Sequence, residues 1–143
     1  MGDDAMREER EFNAHNIDEF RRNGGKVGGQ FEGSPLLLLT STGAKSGAQR
    51  VNPVAYFSVD GKIFIVGSAA GRDNHPAWVH NVRANPRVTV EIGSQAPKPA
   101  TVRELPRDER DSIYQIVVER APGFGEYQEE TDRVIPVFQL ITE

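Results

Sequence analysis

A chain of 143 residues suits one domain and can bury a real core, and its 17 Lys and Arg against 21 Asp and Glu leave a net charge of −4. That balance excludes the broad basic face of a nucleic-acid binder, so any anion must be held locally. The absence of cysteine excludes disulfides, thiolate metal sites and a thiol nucleophile. With neither a membrane-length apolar run nor a signal-peptide core, the sequence reads as cytoplasmic.

In chain order, Met6, Phe12, Ile17 and Phe20 share one face and predict an amphipathic helix over 6–22, ended by Asn23-Gly24-Gly25. The glycine-rich stretch 24–33 predicts a flexible connector, so 1–34 reads as a helix plus linker and 35–143 as the main domain. Strand signals begin with LLLLT (36–40), apolar on both faces. In 51–59, Val51, Ala55, Phe57 and Val59 fall on one side, and Asn52, Val54, Tyr56 and Ser58 on the other. Asp60-Gly61 predicts a tight hairpin into 62–68. Pro76 predicts the start of a helix running to about Ala84, with Asp73 or Asn74 as its cap and Asn85-Pro86 as its stop. Strands at 87–92 and 100–105 follow, then a helix after Pro106 with Ile113, Ile116 and Val117 on one face, ending at Ala121-Pro122. After the acidic piece GEYQEETD, the last strand is expected at 133–140. Six short strands with hairpin connections and peripheral helices predict a small antiparallel barrel, closed or split; a parallel sheet would need a crossover helix after nearly every strand.

Several site motifs fail. Leu39 and Ala44 stand where a phosphate-loop signature needs glycines, and a strand follows Lys45 rather than a helix. Neither GxGxxG nor GxSxG occurs. His75 and His80, five apart, would point about 140° from each other on one helix, which argues for a helix cap and a surface imidazole rather than a shared metal. The stretch that survives is TSTGAKSGAQRVNP (40–53). Its glycines and hydroxyls can turn backbone N–H groups inward as an anion nest, with Lys45 and Arg50 adding full charges. An ordinary basic turn is the competing reading. Pro53 favours the functional one, because a proline within a strand implies an edge or bulge and leaves the backbone beside Asn52 open to a flat ligand.

LLTSTGAKSGAQRVNPVAYF, IFIVGSAAGRDNHPAWVHNVRANPRVTVEI and GFGEYQEETDRVIPVF together resemble the deazaflavin-dependent nitroreductase family, oxidoreductases that use coenzyme F-420, over residues 30–140. The resemblance implies a mainly β fold, a six-stranded antiparallel split β-barrel related to the FMN-binding, pyridoxamine-phosphate-oxidase-like barrels. It implies that Lys45 and Arg50 hold the coenzyme's phosphodiester and acidic tail, with Ser46 or Thr42 as hydroxyl donors. Asn52, Pro53 and Val54 would line the deazaflavin ring, with Val66, Gly67 and Ser68 on the neighbouring strand and Trp78 and Asn81 on the adjoining helix. Ala69 replaces a lysine that contacts the tail in the family, which shifts that role to Arg72. Ala121, Phe124 and Tyr127 stand where nitroimidazole-reducing members cluster tyrosines.

The expected reaction is hydride transfer from the reduced deazaflavin to an enone, lactone, quinone or nitroaromatic. Ser68 and Tyr127 are the candidate proton donors or oxyanion stabilisers, and Phe124 an apolar wall of the substrate pocket; Tyr127 reads equally as an exposed residue on an acidic helix. No metal is required. FMN is the alternative cofactor, a non-catalytic flavin carrier the alternative class, and a monomer the expected state.

Overall fold

The computed structural model describes residues 14–15, 17–22, 36–68, 75–93 and 95–142. Strands β1 (Leu36–Thr42), β2 (Gln49–Val59), β3 (Lys62–Val66), β4 (Arg87–Ile92), β5 (Lys98–Glu104) and β6 (Val137–Thr142) close a barrel in the order β1-β2-β3-β6-β5-β4. Every neighbouring pair whose register is resolved is antiparallel. Helix α1 (Ala77–Ala84) joins β3 to β4, while α2 (Arg107–Arg120) and α3 (Gly123–Glu129) lie between β5 and β6.

The strands that are apolar on both faces are those covered on both. Leu37 and Leu39 enter the barrel core with Val54, Ile65, Val90, Val102 and Leu140. Leu36 and Leu38 face outward beneath Phe20, which is buried from the N-terminal helical residues 17–22. On the opposite flank Phe57, Val59, Phe64 and Val66 are covered by Tyr114 and Val117 of α2. The alternation expected for β2 therefore holds, with each face buried against a different cover. Asp60 (φ 52°) and Gly61 (φ 77°) both adopt positive φ, as a two-residue hairpin turn demands.

Helix α1 plugs the barrel. Trp78, Val79 and Val82 are buried in the central core, and the Trp78 and Phe138 rings meet edge to face at 5.5 Å. Pro76 itself occupies the cap position, without a side-chain cap. The expected cap residues Asp73 and Asn74 lie outside the described residues, as do the connector 24–33 and Arg72.

Two predicted boundaries are corrected. The acidic piece after Pro122 is helix α3, held by packing rather than by propensity: Phe124 meets Phe57 at 5.4 Å and Tyr127 at 5.5 Å, both edge to face. The last strand begins at Val137 because Pro136 has no N–H for a ladder, and it continues to Thr142 opposite Ala100. The preceding segment is held by side chains instead: Arg110 Nε donates to the Ile135 carbonyl (2.8 Å), and Gln128 Nε2 to that of Arg133 (2.7 Å).

Candidate functional site: a cationic cleft beside a split in the barrel

Strand β2 changes partners along its length. Gln49 to Ala55 pair with β1, whereas only Tyr56 to Val59 pair with β3. Continued, the β2–β3 register would set Val66 opposite Ala55, Gly67 opposite Val54 and Ser68 opposite Pro53. That pairing is not made: the β2–β3 ladder ends at Tyr56 and Ile65, while on the β6 side Gly67 N–H continues the β3–β6 register by donating to the Pro136 carbonyl at 2.9 Å. The strands thus part, and among the described residues nothing pairs with this edge of β2 on either side of Pro53, which could donate no ladder bond in any case.

The β1–β2 connection, 43–48, is a tight turn. Gly43 N–H donates to the Ala48 carbonyl (2.7 Å) and Gly47 N–H to the Gly43 carbonyl (2.9 Å), with Gly47 at φ 72°. Ala48 N–H donates to Ser46 Oγ (3.1 Å), and Ala44 N–H to Asn81 Oδ1 (3.0 Å). This corrects the expected anion nest: four of the loop's N–H groups are consumed in building the turn and docking it on α1. Charge for an anion must come from the side chains.

Those side chains line a cleft of about 720 Å³ with Gly43, Ala44, Ser46, Gln49, Val51, Asn52, Ala77, His80, Asn81, Ala14 and Ile17 around Lys45 and Arg50. Among the described residues no carboxylate lines it, in a chain with more acids than bases. Elsewhere arginines are neutralised, as in Arg83–Glu104, Arg103–Glu109 and Arg107–Asp111. Lys45 and Arg50 are exposed and, among the described residues, have no acidic partner. Like charges held apart from counter-ions make a focused positive site.

The remaining predicted residues divide. Asn81, buried on α1, braces the turn through Ala44 and sends Nδ2 toward Ser41 Oγ at 3.5 Å. Thr42 accepts a bond from Gln49 Nε2 (3.2 Å) and closes the base of the hairpin; it is not in the cleft lining. Val54 and Trp78 point into the core, so they underlie the cleft rather than face it. Val66 packs outward with Val137 and Ile135. Gly67 has no room for a side chain, since a Cβ would meet Val79 Cγ2 at 2.7 Å and Pro136 Cγ at 3.0 Å. Phe124 and Tyr127 belong to the outer cluster under α2 and are not in the lining of the cationic cleft.

Two residues escaped the sequence reading. His80 lines the cleft, and its ring lies 5.8 Å from that of His75. The angular argument that separated them assumed one helix, but α1 starts at Ala77 and His75 lies outside it. Arg133, a lone arginine before an apolar run, carried no sequence signal. It donates from Nη1 to the Gly67 carbonyl (3.1 Å) and to His75 Nδ1 (3.0 Å), and from Nη2 to the Ser68 carbonyl (2.7 Å). Burial, then the Arg133 charge, hold the His75 pKa below its ordinary value.

A closed six-stranded antiparallel barrel with a cationic cleft that, among the described residues, holds no carboxylate is a frame suited to a small coenzyme-binding oxidoreductase, and the cleft suits a flat heterocycle with an anionic tail. The model of the F420H(2)-dependent quinone reductase family matches residues 12–142, and the chain belongs to that family. An F420H(2)-dependent quinone reductase of Mycobacterium tuberculosis is 36% identical over 127 residues, covering 85% of this chain and 83% of the relative. Among solved structures, an F420-H2 dependent reductase (FDR-A) is 44% identical with a TM-score of 0.66 over 74% of this chain and 93% of that one. A domain-swapped dimer is 38% identical with a TM-score of 0.68, covering 98% of this chain and 99% of its own. A pyridoxamine-5'-phosphate-oxidase-like protein from Listeria innocua, 14% identical with a TM-score of 0.54 over 76% of this chain and 84% of its own, shares the fold alone. Family membership makes the chain an oxidoreductase with coenzyme F-420 as its cofactor, and FMN is not needed. The nitroreductase resemblance thus resolves to the quinone reductase family.

Proposed function

We propose that the protein reduces quinones, and electron-poor enones of similar shape, at the expense of reduced F-420. The observation that carries this reading is the pairing of Lys45 and Arg50, in a cleft without carboxylates among the described residues, with the β2 edge left unpaired by β3 at Asn52 to Val54. When bound, the coenzyme supplies a hydride. Lys45 and Arg50 hold its phosphodiester and acidic tail through charge-assisted hydrogen bonds, helped by the Ser46 hydroxyl proton. The backbone of 52–54 would receive the coenzyme's ring. Asn81 fixes the turn so that Lys45 keeps its place.

On the acceptor side, Ala14 and Ile17 provide apolar surface over the cleft that excludes water from a quinone's ring. The Ser68 hydroxyl, at the mouth of the split, is the proposed donor to the oxygen that gains charge as the quinone is reduced. Tyr127 packs beside Phe124 and Phe57 and is assigned no proton; Tyr127→Phe should retain turnover, and a loss above tenfold would restore it to the mechanism. The domain-swapped neighbour favours a second reading of assembly over the expected monomer, an exchange of one segment between two copies, which light scattering of the purified protein decides.

The functional test is consumption of reduced F-420 with menadione, followed by its absorbance, beside titrations with F-420 and FMN. Turnover with tight F-420 binding and weak FMN binding supports the reading. Binding without turnover with any quinone or enone would make the protein a carrier instead.

A further inference from the structure

The Gly67–Ser68 peptide is trans, so the Ser68 N–H points opposite to the Gly67 carbonyl. That carbonyl accepts from Arg133 Nη1 at 3.1 Å, and the Gly67 N–H goes to the Pro136 carbonyl at 2.9 Å. Both polar groups of Gly67 therefore face the 133–136 segment, and the Ser68 N–H faces the other way, to the side that β2 has left. Alternation along a strand would send the Ser68 carbonyl to that side as well. Instead Arg133 Nη2 takes it at 2.7 Å, so the backbone turns at Ser68 and shows the split a donor without its acceptor. A planar guanidinium with donors in a fixed fork can gather two carbonyls and an imidazole nitrogen at once. Among the described residues no acceptor meets the Ser68 N–H.

We propose that Arg133 is a positioning residue for the reaction: by gathering the Gly67 and Ser68 carbonyls and His75 Nδ1, it turns the Ser68 N–H toward the open edge of β2. The proposal rests on the functional reading above, since that edge is where the coenzyme's ring is placed. Arg133 touches neither ring nor acceptor and acts through the backbone it holds.

His75 completes the clamp only while Nδ1 carries no proton, because the guanidinium can only donate. Among the described residues, the charged and titratable groups that act on His75 are Arg133, Arg83 and His80, which oppose its protonation, and Glu104, which favours it. Acid that overcomes them converts the third acceptor into a second cation against Arg133 and loosens the Ser68 turn.

The full chain and its Arg133→Met, Arg133→Lys and His75→Gln variants are compared by F-420 fluorescence titration, by kcat with menadione across pH, and by amide exchange of Gly67 in ligand-free protein. Arg133→Met should keep F-420 affinity within about threefold, because Lys45 and Arg50 grip the tail, yet lower kcat at least tenfold and speed Gly67 exchange at least tenfold. Arg133→Lys, which keeps the charge and guards against a misfolded variant, should stay below a third of wild-type kcat, since one ammonium lacks the fork. His75→Gln keeps an acceptor that does not titrate, and should remove the acid fall in kcat. Wild-type kcat in Arg133→Lys, unchanged Gly67 exchange in Arg133→Met, or an intact acid limb in His75→Gln would each overturn the clamp. If the wild type bound no F-420, the functional reading would fall, and the exchange of Gly67 alone would support or overturn the clamp.

Discussion

Replacing Asn81 by alanine probes how the helix holds the cationic turn. Asn81 is 8% exposed; its Oδ1 accepts the Ala44 N–H at 3.0 Å, and its Nδ2 lies 3.5 Å from the buried Ser41 Oγ. Losing the acceptor strands a partly buried N–H, which costs about 1–3 kcal/mol. Ala44 itself is exposed, so water recovers part of that, and the long contact to Ser41 adds little. About 1–2 kcal/mol remains. The unfolding entropy of a chain this long is roughly 0.3 kcal/mol/K, so Tm should fall by about 3–7 °C. Differential scanning calorimetry of the ligand-free protein reads this directly. F-420 affinity should fall by about tenfold as Lys45 loses its fixed base. Asn81→Asp separates the two effects: it keeps the acceptor and near-wild-type Tm, but places a carboxylate in the cleft and weakens F-420 more than alanine does. An unchanged Tm together with unchanged affinity in Asn81→Ala would refute the bracing role.

Gly67→Ala should lower stability by about 1–3 kcal/mol, since the new methyl meets Val79 Cγ2 at 2.7 Å and Pro136 Cγ at 3.0 Å, and urea unfolding at wild-type midpoint would contradict the packing described. Burial raises the Tyr114 pKa to about 12, and its hydroxyl donates to the Phe124 carbonyl at 2.5 Å. The unfolded chain ionises near pH 10, so the stability from this neutral phenol is complete below that value and is lost as pH rises toward 12. Ultraviolet titration should accordingly show a late-ionising step that Tyr114→Phe removes; a titration that Tyr114→Phe leaves unchanged at high pH would contradict the burial.

The barrel was legible because local signals agreed with it. Asp60-Gly61 marks one hairpin, and the clean alternation of 87–92 matches β4, Arg87–Ile92. The two-sided apolar runs of β1 and β3 were legible as strands but not as to what covered them, because the covers, Phe20 and Tyr114, come from helices distant in sequence. At the site, Lys45, Arg50, Ser46, Asn52 and Asn81 could be named because charge and turn chemistry are concentrated in one stretch and its helical neighbour. Side-chain direction could not. Val54 and Trp78 turn into the core, and four of the N–H groups of 43–48 are spent in the turn or on Asn81. Arg133 left no trace because two of its contacts are to backbone carbonyls, which every sequence possesses, and the third, His75, lies 58 residues away. Helix α3 depended on the ring contacts of Phe124, which are tertiary.

In the proposed function, Lys45 and Arg50, without an acidic partner among the described residues, hold the coenzyme's anionic tail while the β2 edge receives its ring. Titrating wild type and the Lys45→Glu/Arg50→Glu double variant with F-420, and with a deazaflavin that lacks the phosphorylated tail, tests it most directly. The account predicts that charge reversal weakens F-420 at least a hundredfold, about 2.7 kcal/mol, and leaves the tail-less deazaflavin within about threefold of wild type. Equal F-420 affinity in the two proteins would contradict it.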